Sequence, residues 1–391
     1  SIGSKAFENA ALLADVYAEP TTAPAVQADS FSGAGTSVQG SKTFHVASVE
    51  AYSSWTTAAS GYTMEALGPD YLSEGLYYRA SGEDPWKSEI PQTFTTLYVK
   101  TAGDNTVMTA EQMKAVADAV KALAAPATVD FSEVVYESET FPNSFKSNAN
   151  LAGIVFPQNV TKTASAAFQK TGMTSVTLLK GISYGSNAFD SCASLVSVTV
   201  EEGVTEIGNY MFQNTKLTDV TLPNSVTKIG ASAFNGCSLT TINFGQGVKT
   251  IENSAFQNCG ELTEIILPDA TETLGQNAFG DCPKLAKISL GKNMKTLEAY
   301  CFVGYSKGCP LLGDIICRAT TPPTLKDDYG TGPFGGGWSP VAGKDVPAEN
   351  RIIHLPKSAD PVGGTGAYAD SSWVKLTSST YGFAFKYDVE G

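Results

Sequence analysis

Gly181-Ile-Ser183-Tyr-Gly185 has the spacing of a hydrolase nucleophile, in which Gly-x-Ser-x-Gly on a strained strand-to-helix turn lifts a serine hydroxyl clear of the backbone. Such a serine needs a base and an orienting group, and the chain contains 2 histidines, His45 and His354. Each is flanked by apolar residues in a strand-like run, Phe44-His45-Val46 and Ile353-His354-Leu355, with no obvious Ser or Cys partner. The 7 cysteines form no Cys-x-x-Cys pair and are odd in number, which argues against zinc. Gly330-Thr-Gly-Pro-Phe-Gly-Gly-Gly-Trp338 lacks the Lys-Ser/Thr that grips phosphates and reads as a mobile loop. Asp327-Asp328 and Glu201-Glu202 lack the alternating oxygen ligands of a calcium loop and read as solvated surface. The expectation is no catalytic residue, no cofactor and no metal site.

A repeat positions all of these residues. Phenylalanines recur at 145, 168, 189, 212, 234, 256, 279 and 302, at spacings of 21 to 23 residues. An apolar triplet follows most of them, as in Leu195, Val198, Val200 or Leu262, Ile265, Leu267. The last two members of each triplet are two residues apart, so both leave the same face of an extended strand. A turn follows at Pro157, Pro223, Pro268, Gly245 or Gly291, and a second apolar pair, such as Val226 and Ile229, leads into the next Ala-Phe. Units of this length cannot bury an apolar face alone and must stack. The predicted fold is a leucine-rich repeat solenoid, a right-handed coil with one short parallel β-strand per unit, carrying a helix-containing N-terminal cap and strand-rich terminal modules.

The repeat also explains the catalytic look-alikes. Ile182 aligns with Val204 and Val226, Ser183 with Thr205 and Thr227, and Gly185 with Gly208 and Gly230, in a unit shorter by one residue. Cys192, Cys237, Cys259 and Cys282 sit three residues after the repeat Phe, Cys309 fills that slot after a short insertion, and Thr171 and Thr215 fill it elsewhere. Such a slot takes a small, weakly polar side chain, as a buried free thiol is. Rungs ~4.8 Å apart match poorly the ~3.8 Å Cβ separation of a disulfide. Free structural thiols are expected, with Cys301 and Cys309 as the alternative bonded pair.

The net charge of −13 and the lack of Lys or Arg clusters argue against nucleic acid. No stretch approaches the ~20 apolar residues of a membrane span. Ser1 is not an initiator Met, so an export signal removed or left out upstream is compatible with the sequence.

Four regions are expected: 1–60, a partial repeat plus a terminal-type module; 61–138, a mixed region; 139–317, the array; and 318–391, a C-terminal module. Within the second, Thr109-Ala-Glu-Gln112 reads as a capping box opening a helix at about 110–124, with Met113, Val116, Val120 and Leu123 on one side. Val129 and Phe131 mimic the strand positions of Ile154 and Phe156, so helix and strand would cover the first rung. The first and last regions are copies. Leu12-Leu-Ala-Asp-Val16 aligns on Leu311-Leu-Gly-Asp-Ile315, Phe44-His45-Val46 on Ile353-His354-Leu355, and Ser53-Ser54-Trp55 on Ser371-Ser372-Trp373. Ile2-Gly-Ser-Lys-Ala-Phe7 copies Ile229-Gly-Ala-Ser-Ala-Phe234, so the chain reads as beginning inside a repeat unit.

Leu222-Pro-Asn-Ser-Val-Thr-Lys-Ile-Gly-Ala-Ser-Ala-Phe-Asn-Gly-Cys237 resembles the BspA-type leucine-rich repeat. Cys317-Arg-Ala-Thr-Thr-Pro-Pro-Thr-Leu325 resembles the segment that often follows such arrays in surface proteins of anaerobic, host-associated bacteria. The resemblance implies an exported cell-surface protein, often lipid-anchored, with some members acting as adhesins for host matrix proteins or other bacteria. It carries no catalytic motif.

The exposed side of the stacked strands is the expected binding face. Thr177, Thr199, Thr221, Asn243, Ile266 and Ser289 form one outward row, and Ser175, Ser197, Asp219, Thr241, Glu264 and Lys287 the next. An extended curved surface of this kind suits another protein. β-Branched and small polar residues also suit any solvated strand face, so the composition alone leaves a purely structural reading open. Carbohydrate recognition through the terminal modules is the alternative, because they carry Trp55, Trp338 and Trp373.

Overall fold

The structure, a computed structural model, describes residues 75–81, 84–102, 106–304, 307–326, 332–335, 342, 344–347, 350–359, 368, 372–377 and 383–390. It also describes the backbone of three earlier strands, Asp15–Ala18, Thr43–Val46 and Thr63–Ala66. The chain divides into two compact units, Ser1–Ile90 with Lys100–Thr106, and Pro91–Val99 with Val107–Gly391.

The larger unit is a leucine-rich repeat solenoid of parallel strands. Each rung offers three sides to its neighbours. The first is the expected strand: Ser175–Leu178, Ser197–Val200, Asp219–Thr221, Thr241–Asn243, Glu264–Ile266, Lys287–Leu290 and Asp314–Cys317 follow one another rung by rung. The second is an addition that the sequence did not disclose. Two-residue strands Glu206–Ile207, Lys228–Ile229, Thr250–Ile251, Thr273–Leu274, Thr296–Leu297 and Thr324–Leu325 join in one six-stranded parallel sheet. All but the last bury one apolar side chain, such as Ile229 or Leu274, in the core.

The third side is the turn that carries the phenylalanine. Its backbone bonds straight to the next rung, with Phe189 N donating to Met211 O at 2.9 Å and Phe256 N to Ala278 O at 2.8 Å. To make this turn, the residues two before and two after the Phe enter the left-handed region, as in Asn187 with Ser191, Tyr210 with Asn214, and Ser254 with Asn258. Asn and Gly tolerate that conformation, and Ser and Tyr are held there by the rungs on either side. Glycine is required for a different reason at Gly275, where a Cβ would lie 2.6 Å from the backbone N of Asn253 in the rung before.

All eight repeat phenylalanines are buried. From Phe168 to Phe302 their rings form one column with centroids 5.2 to 6.3 Å apart and interplanar angles of at most 19°. Phe145 joins this column through Phe141, which stacks on Phe145 at 6.0 Å and on Phe168 at 5.5 Å. At the other end Phe334 lies 5.1 Å from Phe302, and Trp373 meets Phe334 edge-on at 6.1 Å. The glycine-rich stretch is thus corrected in part: 332–335 is built into the stack, with Phe302 N donating to Pro333 O at 3.0 Å. Its remaining residues, and Asp327-Asp328, lie outside the described residues.

The cap helix spans Ala110–Ala122, opened by the capping box of Thr109 and Gln112. It buries Met113, Val116, Ala117 and Val120. Two asparagines of the first rung hold it down: Asn148 Nδ2 donates to Ala117 O at 2.9 Å, and Asn150 Nδ2 to Leu123 O at 2.7 Å. Strand Ala127–Glu133 then pairs with Leu151–Val155, placing Val129 opposite Ile154.

The strands Asp15–Ala18, Thr43–Val46 and Thr63–Ala66 form a parallel sheet in which Val16, Phe44 and Met64 are in register. In the C-terminal region Ile315, Ile353 and Phe385 share the equivalent register. Of the three aligned segment pairs, the first two therefore occupy equivalent strand positions in both sheets. The third strand, Thr63–Ala66, lies past residue 60, and the rest of residues 1–60 lies outside the described residues.

Candidate binding face

The strand face divides at its middle. In the first half, Ser175, Thr177, Ser197, Thr199, Asp219, Thr221, Thr241 and Asn243 are all exposed. Asp219 is the only charge among them, and it accepts a hydrogen bond from Thr218 Oγ1 at 3.1 Å. In the second half the row is charged and already paired. Lys287 Nζ lies 3.5 Å from Glu264 and 3.9 Å from Asp314. His354 continues the series, with Nε2 3.4 Å from Asp314 Oδ1 and Nδ1 2.8 Å from Asp388 Oδ1. Burial alone would raise the Asp388 carboxyl, but Lys386 and His354 outweigh it and hold this carboxyl below its usual range.

Ser289 does not belong to the accessible row. It is only 8% exposed, because in register it lies between Ile266 and Ile316, whose longer side chains shade it. Ile266 is the reverse, 60% exposed on the same row.

The sheet on this face is also broken. Strands 175–178 and 197–200 form one pair, 219–221 and 241–243 another, and the five strands from Glu264 to Val389 a third sheet. The widest break precedes all of these, between Leu151–Val155 and Ser175–Leu178, where the strands approach less closely than any other consecutive pair on the face. A cavity of about 500 Å³ occupies it, lined by Val155, Phe156, Ser175, Thr177 and Thr199, with Met173 and Phe189 at its floor. Exposed Val155 stands at its edge.

The remaining chemistry-bearing residues are absorbed by the fold. Ser183 exchanges backbone hydrogen bonds with the previous rung, to Thr161 O and from Thr163 N, as its aligned position demands. Tyr184 replaces the buried isoleucine of other units. Its hydroxyl accepts from Leu179 N at 3.1 Å, and burial pushes its pKa up to about 12. The cysteines are free. In the shared slot, each thiol donates to the carbonyl of the Phe one rung back: Cys192 to Phe168 and Cys237 to Phe212, both at 3.1 Å, Cys259 to Phe234 at 3.3 Å, and Cys309 to Phe279 at 3.1 Å. Thr171 and Thr215 fill the slot by donating to the Phe carbonyl of their own rung, at 2.9 Å. Burial pushes the Cys237 thiol up to about 11 and those of Cys259 and Cys309 well above their ordinary value. Cys301 donates separately to Glu298 O at 2.8 Å rather than bonding Cys309. Trp373 is fully buried and donates to Pro323 O at 2.8 Å, so it is not a platform for sugar. Trp55 and Trp338 lie outside the described residues.

The model of the BspA type leucine rich repeat region matches residues 129–184 and 182–308, in 6 copies. Residues 129–308 are a BspA-type leucine-rich repeat region. The BspA-type array resembles a solved leucine-rich repeat protein from Eubacterium ventriosum, with 21% identity over 53% of this chain and 70% of that one and a TM-score of 0.34. A leucine rich cell surface protein of Faecalibacterium prausnitzii shares 18% identity over 82% of this chain and 94% of its own, with a TM-score of 0.28. The pneumococcal vaccine antigen PcpA shares 15% over 77% and 95%, with a TM-score of 0.25. No curated protein matches the sequence. Among the described residues, no helix is long and apolar enough to cross a membrane. No group of three His, Cys, Asp or Glu side chains there is placed to hold a metal ion.

Proposed function

We propose that this chain is an exported cell-surface protein that binds another protein, without catalysis, through the strand face of the first half of its array. One observation carries the reading: Thr177, Thr199, Thr221, Thr241 and Asn243 stand exposed in consecutive rungs, uncharged and not tied up in ion pairs. Short hydroxyl and amide side chains on a stiff support lose little freedom on contact, which favours association with a surface of matching shape. Glu264 and Lys287, also on the face, neutralise one another and serve the stack instead. The repeat family supports export, since BspA-type arrays are found in bacterial surface proteins. Thiols that are buried and protonated also resist oxidation outside the cell, because the thiolate is the reactive form.

The test is capture from host extracellular matrix and from bacterial surface extract, followed by affinity measurement on the purified partner. A variant carrying Thr199→Lys, Thr221→Lys and Asn243→Lys is expected to bind at least tenfold more weakly at unchanged melting temperature. Binding that tolerates all three lysines places the contact elsewhere.

A further inference from the structure

The break between Leu151–Val155 and Ser175–Leu178 has the properties of a missing strand, and this inference rests on the binding reading above. The rungs are pressed together just before it: Gly172 N donates to Asn148 O at 3.3 Å, and a Cβ on Gly172 would lie 1.9 Å from Ala149 O. They rejoin just after it, where Lys162 pairs with Ser183. Between these points no backbone hydrogen bond crosses from 151–155 to 175–178. Thr174 O and Leu178 O accept from Val196 and Glu201, so they face the following rung. By the alternation of a parallel strand, the N–H and C=O of Ser175 and Thr177 face the opening. Tyr184 Oη caps the far end, accepting from Leu179 N at 3.1 Å and donating to Thr177 O at 3.5 Å, so the open groups of this edge are the N–H of Ser175 and Thr177 and the C=O of Ser175.

Exposed strand edges are ordinarily blunted by charge or proline. The last strand of the array shows this, since Ala384–Val389 carries Lys386 and Asp388. The edge Ser-Val-Thr-Leu at 175–178 carries neither. Its opening has an apolar floor at Met173 and Phe189 and a rim of Ser175, Thr177 and Thr199 hydroxyls, the same inward-apolar, outward-polar order as the rungs themselves. Two facing edges with this floor fit an extended chain, because backbone amides alternate at the spacing that a strand requires.

We propose that this cleft takes an extended peptide segment of the partner as an added strand, bonded to the Ser175–Leu178 edge, with its apolar side chains turned inward. An edge of 4 residues spans roughly 13 Å, room for one short strand and not for a sheet. The probe is a phage-displayed library of random octapeptides, selected on the full chain and then synthesised for affinity measurement. Selected peptides are expected to alternate apolar and polar residues and to slow amide exchange at Ser175 and Thr177. Thr177→Pro removes an edge N–H without touching the pairing to 197–200 and should weaken them about tenfold at unchanged melting temperature. Lys295→Gln, beside the opposite ladder and outside both the cleft and the strand face, should leave them unchanged. No enrichment, equal binding to Thr177→Pro, or peptides that protect other amides would overturn the proposal. If that happens while the triple-lysine variant still loses the captured partner, strand insertion falls and the face reading stands; if the lysines are tolerated too, both fall.

Discussion

The first and second halves of the array share one core and differ in what else joins their rungs. In both, phenyl rings stack, thiol or hydroxyl side chains cap Phe carbonyls, and turn amides bond across. In the second half, rung-to-rung ion pairs are added: Lys284 with Glu261 at 2.6 Å, Lys295 with Glu272 at 2.7 Å, and Arg318 with Asp269 at 3.1 Å. The strand sheet there runs unbroken from Glu264 to Val389. Between residues 139 and 227 no ion pair joins the described rungs, and the strand face is broken and carries Asp219 as the one charge among its outward strand residues. The difference teaches that strand pairing on this face is dispensable for stacking. The core, the turn and the opposite two-residue strands suffice, which leaves the first-half face free for a partner.

If the phenyl column is the common support, Phe212→Ala and Phe279→Ala should each cost about 3–5 kcal/mol by denaturant unfolding. A difference of more than about 2 kcal/mol between them would show that the halves are held by different means. The thiol slot gives the next effect. Cys237 has its folded-state pKa raised, so below pH 9.0 the thiol is neutral in both states, and between there and about pH 11 the unfolded chain releases a proton that the folded chain retains. Stability therefore falls as pH rises through that window, by up to about 1.4 kcal/mol per pH unit for the single thiol. Cys237→Thr, which copies Thr215, should fold and show a shallower alkaline decline than wild type; parallel curves would contradict the buried-thiol assignment.

Smaller effects separate turn from strand. Ser254→Gly relieves a left-handed φ of 58° and should stabilise by roughly 0.5 kcal/mol after the entropy cost of glycine. Lys287→Gln removes the centre of the second-half ion series and should cost about 0.2–1 kcal/mol at low salt and almost nothing at high salt. A larger, salt-independent loss would mean that this pairing does more than supplement the core.

The period made much of this legible in advance. Eight phenylalanines, the five-cysteine slot and the Thr109 to Gln112 capping box are local in sequence, and each is where its spacing puts it. What stayed hidden depends on the neighbouring rung. The second ladder uses strands of two residues, too short for any alternation to register. The left-handed residues Tyr210 and Ser254 carry no composition signal, unlike Asn258. Ser289 reads as outward by count and is covered by Ile266 and Ile316. Phe141, Phe334 and Trp373 extend the aromatic column from outside the repeat register, and the break beside Ser175 is a matter of strand separation, which no residue type announces.

Native-state amide hydrogen exchange tests the contrast most directly. The account predicts slow exchange at Gly230, Glu252, Gly275 and Glu298, whose N–H groups bond across the continuous ladder, and fast exchange at Ser175 and Thr177 in the unliganded chain. Equal protection at the two sets would contradict it, because the strand face would then be closed and no edge would be free to receive a partner.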